Sequence, residues 1–178
     1  MHPARLREIE YPESDGRPIG ETDLHRWWMI QIHQLLEHRY RSQNVYLGCD
    51  LLLFYVEGDP KKFVVPDNFV VLDCKPGFRR SYKIWTEAHV PNVVFEVTSH
   101  KTKKQDETLK PQVYAQIGVQ ELFLFDPTLD YLAPALQGYQ LAGNRYERWK
   151  PMLPVRWNPA SWVCSFASIA NGLSFRTL

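Results

Sequence analysis

Apolar residues at helical spacing open the legible part of the chain. Leu24, Trp28, Ile32 and Leu35 fall on one stripe, widened by Trp27 and Leu36. With Thr22 or Asp23 as cap, that stripe predicts a helix running to about Tyr40. Residues 45–57 then switch to a dense apolar run that predicts one or two strands, ended by the turn residues Gly58, Asp59 and Pro60. A third strand is expected to bracket Asp67 and to run to about Cys74. Pro76, Gly77 and Pro91 mark 75–91 as a loop, and 92–98 reads as a strand followed by a polar loop over 99–107.

Thr108 as cap, Pro111 in the first turn and Gly118 past the end predict a short helix over 108–117. Leu122 to Phe125 form the next strand, stopped by Asp126 and Pro127. The segments 138–141 and 145–149, separated by Ala142, Gly143 and Asn144, predict a β-hairpin. Before the first helix, residues 1–20 carry Pro3, Pro12, Pro18, Gly16 and Gly20, which predicts an N-terminal arm without regular structure. The pattern as a whole predicts one α/β domain over 21–178, a mixed and partly antiparallel sheet flanked by helices.

Two acids break this pattern. Asp67 lies between Phe63-Val-Val and Phe69-Val-Val, and Glu96 sits in the middle of Val93-Val-Phe-Glu-Val. An ionised carboxylate inside an apolar strand is costly unless it is paired or binds a metal. For Asp67, preceded by Pro66, a turn is the competing reading. For Glu96 it is a solvent-facing position on an edge strand. Two carboxylates on neighbouring strands suit a hard cation, Mg²⁺ or Mn²⁺, with the Val97 carbonyl as a further oxygen ligand. Such an ion acidifies water and neutralises charge on a phosphate ester, and Lys110, entering the helix after Glu96, can stabilise the same charge. If the acids face each other, removing one is expected to stabilise the metal-free protein by relieving repulsion. His25, His33 and His38 have no i, i+4 ligand spacing and read as surface or satisfied groups.

Composition adds limits. The chain has 178 residues, 44% of them hydrophobic, with six Trp, nine Tyr and nine Phe, enough for a sizeable core. No apolar run is long enough to cross a bilayer, and three widely spaced cysteines, Cys49, Cys74 and Cys164, read as reduced thiols of a cytoplasmic protein. Net charge is only +1, but residues 75–110 hold eight basic groups against four acids, while the remainder holds 13 against 16. Arg79, Arg80, Lys101, Lys103 and Lys104 are therefore the candidates for contacts to a nucleic-acid backbone, and a solvated charged face is the competing reading.

The spread of Pro66-Asp67, Glu96-Val-Thr-Ser, Asp106, Lys110, Tyr114-Ala, Gly118-Val, Glu121 and Phe125-Asp-Pro resembles the Uma family of putative restriction endonucleases, in the PD-(D/E)xK nuclease superfamily. The similarity runs from about Glu21 to Tyr146. It implies a restriction-endonuclease-like core and Mg²⁺-dependent cleavage of DNA. Asp67 and Glu96 take the places of the motif acids, and Glu21 that of an extra acid near the metal. A homodimer is among the expected assemblies. The motif lysine should lie two residues after the second acid, where this chain has Thr98. The resemblance implies that Lys110 has assumed that role. The alternative is a catalytically inactive nucleic-acid-binding or scaffold protein on the same fold.

Overall fold

The computed structural model describes residues 10–12, 22–98, 108–130 and 132–149. Within them the chain forms α1 (Asp23–Tyr40), β1 (Val45–Cys49), β2 (Leu53–Phe54), β3 (Phe63–Val64), β4 (Asn68–Leu72), β5 (Tyr82–Lys83), α2 (Ile84–Glu87), β6 (Val93–Val97), α3 (Lys110–Ile117), β7 (Glu121–Phe125), β8 (Leu136–Ala142) and β9 (Arg145–Arg148). Six strands make one mixed sheet in the order β1-β4-β6-β7-β8-β9, and β3-β2-β5 make a second, small one. Only β6 and β7 are parallel neighbours in the large sheet, and α3 is the crossover that parallel pairing requires.

Alternation along β6 builds two cores. Val93, Phe95 and Val97 pack under α1 with Met29, Ile32, Leu36, Phe123 and Phe125. Val94 faces the other side with Leu122, Leu124, Tyr114, Phe69 and Tyr82. Glu96 shares the Val94 side and so points toward α3. In the β1–β4 ladder Gly48 stands opposite Phe69. A Cβ at Gly48 would lie 2.1 Å from the Phe69 ring, so Gly48→Ala must displace a fully buried aromatic. The expected loss is about 1–3 kcal/mol, read as a lower midpoint in denaturant at unchanged slope.

Several expectations change. The strand foreseen around Asp67 is two strands in different sheets. Pro66 has no N–H to give a ladder, and the chain leaves β3 and enters β4 across Val65, Pro66 and Asp67. The foreseen loop 75–91 contains β5 and α2. Thr22 is the cap of α1, its hydroxyl accepting from the His25 N–H at 3.2 Å. The buried stripe of that helix is His25, Met29, Ile32, Leu36 and Tyr40, so Leu24 and Trp27 are exposed rather than inward. Thr108 does not cap α3; Leu109 precedes it in a helical conformation, while Gly118 ends it as expected at φ 90°. The hairpin forms as foreseen, with Gly143 at φ 65° in its turn. Tyr11, within the foreseen arm, packs on Phe54 and Trp85 and accepts the Gly58 N–H at 2.7 Å. Among the described residues no helix is long and apolar enough to cross a membrane.

At the far end of the sheet from Glu96, the buried Oε2 of the β7 residue Glu121 and the buried Tyr40 hydroxyl have no hydrogen-bond partner among the described residues. Burial pushes the Glu121 carboxyl up to about 7 from its ordinary value of 4.5. A raised acid keeps its proton in the folded state while the unfolded chain ionises, so stability falls as pH rises from 4.5 to about 7 and then levels. Glu121→Gln, which cannot ionise, is expected to raise the thermal midpoint at pH 8 and to change it little at pH 4.5. A pH-independent difference would refute this account.

Candidate active site

The register of β4 and β6 brings the two acids to one end of the sheet. Asn68 pairs with Phe95, so Asp67 stands one step beyond the ladder, level with Glu96. With no strand geometry left at this step, the Asp67 side chain takes over a ladder bond. Its Oδ2 accepts the Val97 N–H at 2.6 Å, and its main-chain carbonyl accepts the Asp50 N–H at 3.2 Å. Asp67 Oδ1 lies 3.4 Å from His25 Nε2. Neither sequence spacing nor a metal motif pointed to His25. Its signal was weak: the one histidine in register with Met29, Ile32 and Leu36 on α1. It is 4% exposed, and the neighbouring Asn68 is fixed to the same helix by an Nδ2–H donated to the Met29 carbonyl at 3.0 Å.

Glu96 is 1% exposed and is gripped from α3. Lys110 Nζ donates to Oε2 at 2.7 Å, and the Tyr114 hydroxyl donates to Oε1 at 2.5 Å. Lys110 and Tyr114 are one helical turn apart, so one face of α3 supplies both donors. Pro111 in the first turn and Gly118 at the end hold that short helix to a fixed length. A buried carboxylate with a charge partner and a second hydrogen bond is the arrangement burial demands. The edge-strand reading of Glu96 fails because β6 lies between β4 and β7. Tyr114, one of the residues that carry the family resemblance, is fully buried and gives its hydroxyl to this carboxylate.

Thr98, in the motif-lysine position, serves the strand end. Its N–H and its hydroxyl both donate to the Phe125 carbonyl, at 2.7 and 3.1 Å. Arg79 is also engaged inside the protein. Its Nε and a terminal nitrogen bind the two oxygens of Glu87 at 2.7 and 2.8 Å, and its guanidinium lies 3.8 Å from the centre of the Tyr46 ring. The Arg79 hydrogen bond in turn lowers the Glu87 carboxyl below its usual range. That clamp ties 75–81 to α2. Arg80 is exposed. Glu21, Lys101, Lys103 and Lys104 lie outside the described residues.

The donor set is one of hard oxygens. Cys49, near Asp67, is not a competing thiolate, because burial first and the charges of Asp50 and Asp67 second push its thiol up to about 12. Among the described residues no three His, Cys, Asp or Glu side chains are grouped to hold a metal. Asp67 and Glu96 are level in the strand register but differently engaged, Asp67 with Val97 and His25 and Glu96 with Lys110 and Tyr114; carboxylate oxygens are the donors that a hard cation such as Mg²⁺ takes.

The family model described as Uma2, putative restriction endonuclease, matches residues 4–158. Among solved structures, a putative nuclease belonging to DUF820 from Anabaena variabilis has a TM-score of 0.57 and 16% identity, covering 90% of this chain and 88% of that one. That likeness bears out the expected α/β fold, as a fold alone. Among curated proteins there is no match.

Proposed function

Because the chain belongs to the Uma2 family of putative restriction endonucleases, we propose that it hydrolyses phosphodiester bonds of DNA at Asp67, Glu96 and Lys110. One observation carries this reading: the Lys110 ammonium is 2.7 Å from the buried Glu96 carboxylate, at the strand end where Asp67 also sits. The motif chemistry needs a cation beside the second acid, and α3 supplies it where Thr98 does not.

Asp67 and Glu96 would hold Mg²⁺ or Mn²⁺, with Glu21 and the Val97 carbonyl as further candidate ligands. A bound ion of this kind supplies an acidified water and neutralises charge on the phosphate. The protein's own share is placement. Val97 N–H and His25 fix the Asp67 carboxylate, and Tyr114 fixes that of Glu96. Lys110 holds positive charge where the phosphoryl oxygens gather, beside the Glu96 carboxylate that it binds. The basic groups Arg80, Lys101, Lys103 and Lys104 are the proposed backbone contacts; Arg79 braces the 75–81 segment that carries Arg80.

The test is nicking of supercoiled plasmid with Mg²⁺ and with Mn²⁺. Cleavage by wild type that Glu96→Gln abolishes supports the reading. DNA binding without cleavage under either metal would favour the non-catalytic alternative, which the use of Thr98 as a strand-end brace favours. Tyr114→Phe removes one donor to a buried carboxylate and is expected to cost about 1–3 kcal/mol. It should also lower the cleavage rate several-fold at saturating DNA, with DNA affinity unchanged. An unaltered rate would reduce Tyr114 to a packing residue.

A further inference from the structure

Beside the Lys110–Glu96 pair lies a cavity of about 320 Å³ between the start of α3 and the outer strands, walled by Pro111, Leu122, Leu124, Leu132, Gln137, Tyr139 and Tyr146. The strand register ties it to the site. Glu96 pairs with Leu124, and Leu124 pairs with Gln137, so the three form one row on the α3 side of the sheet. With neighbouring strands about 4.8 Å apart, Gln137 is roughly 10 Å across the sheet from Glu96. Pro111, on the opposite wall, follows Lys110 directly.

The lining has a definite chemistry. Three leucines give an apolar floor, and two tyrosine rings stand at the outer side. The polar atoms are held in place by one another. The Tyr139 hydroxyl donates to Gln137 Oε1 at 2.6 Å, Gln137 Nε2 donates to the Pro134 carbonyl at 3.1 Å, and the Tyr146 hydroxyl donates to the Val119 carbonyl at 2.8 Å. An amide nitrogen has a second hydrogen for the edge of a ligand. The volume is at the lower end of the roughly 300–1,000 Å³ typical of ligand sites.

We infer that this cavity takes one nucleobase of the DNA strand whose phosphate lies at Lys110. The inference rests on the nuclease reading of the neighbouring site. A planar ring with a polar edge matches leucine floor, tyrosine walls and amide, and a base is tethered to a phosphate at about the distance from Glu96 to Gln137. A base paired and stacked in a duplex cannot enter such a cavity, and drawing it out costs a few kcal/mol. Single-stranded or locally unpaired DNA is therefore the substrate class the cavity selects.

The probe is a single-stranded 12-nucleotide DNA, compared with a strand of equal length made of abasic deoxyribose phosphates and with the corresponding duplex. The protein is the full chain. The intact strand should bind at least tenfold more tightly than the abasic one, shift the Gln137 side-chain amide resonance, and be cut at least tenfold faster than the duplex. Leu132→Trp, which fills the cavity, should bring binding of the intact strand down to the abasic level. If that variant does not fold, Tyr139→Leu, which removes one ring wall, should give the same loss. Equal binding of intact and abasic strands overturns the inference, as does cleavage unaffected by filling. A change of oligomeric state in Leu132→Trp without loss of DNA affinity overturns it in favour of a second copy as occupant. Cavity-dependent binding without cleavage under any metal sinks the nuclease reading and leaves the base site standing.

Discussion

Lys110→Ala is expected to reduce metal-dependent DNA cleavage by on the order of a hundredfold or more, the scale of losing one preorganised stabiliser of transition-state charge. The structure adds a second consequence. Lys110 is the charge partner of a carboxylate whose side chain has no exposed surface, and its removal leaves that charge uncompensated. Breaking such a pair costs about 3–5 kcal/mol, the lower end applying because Lys110 keeps some solvent contact. A protein of this size loses roughly 2–4 °C of thermal midpoint per kcal/mol, so the metal-free variant should melt about 10 °C lower. A divalent ion at Glu96 replaces the missing charge, and Mg²⁺ or Mn²⁺ should raise the midpoint of Lys110→Ala more than that of wild type. Thr98→Ala, which touches only a strand-end bond, should matter far less for cleavage. Equal cleavage by wild type and Lys110→Ala would dispose of the lysine's catalytic role. An unchanged midpoint would dispose of its structural one.

Asp67→Ala and Glu96→Ala should each abolish Mg²⁺ or Mn²⁺ binding in calorimetry. Their effect on the metal-free protein runs opposite to the expectation from like-charge relief. Asp67 accepts the Val97 N–H and faces His25, and Glu96 accepts from Lys110 and Tyr114. Attraction dominates each environment. Removing Asp67 leaves the Val97 amide without its acceptor, at about 1–3 kcal/mol. Removing Glu96 takes away the buried acceptor that Lys110 and the Tyr114 hydroxyl share, and should cost more. The milder pair Asp67→Asn and Glu96→Gln keeps volume and should separate lost metal affinity from lost stability. Metal binding that survives in both alanine variants would exclude a shared ion at these acids.

Local chemistry made much of this protein legible in one dimension. Thr22 as cap, Pro111 and Gly118 around α3, Gly143 in the hairpin and the alternation of Val93 to Val97 each act within a few residues, through backbone dihedrals and side-chain period. Glu96 was conspicuous for the same reason, since an acid inside that alternation has few bland explanations. The inward face of α1 was misplaced by one position because Leu24, Trp27 and Trp28 outweigh His25 in any apolar count, yet His25 is the residue that turns inward. What rewards its burial is Asp67, on a distant loop.

The sequence by itself therefore determined the first helix, the strand that carries Glu96, the short helix after it with the next strand and hairpin, and the family to which the chain belongs. Tertiary structure alone decided the partners: that Asp67 leaves the ladder and binds Val97 thirty residues on, that α3 turns both Lys110 and Tyr114 onto Glu96, and that Arg79 is spent on Glu87 and Tyr46. Periodicity fixes which face of an element is apolar. It does not fix which two faces meet, because that depends on sheet order, register and the closing of chain segments whose entropy cost grows only slowly with length.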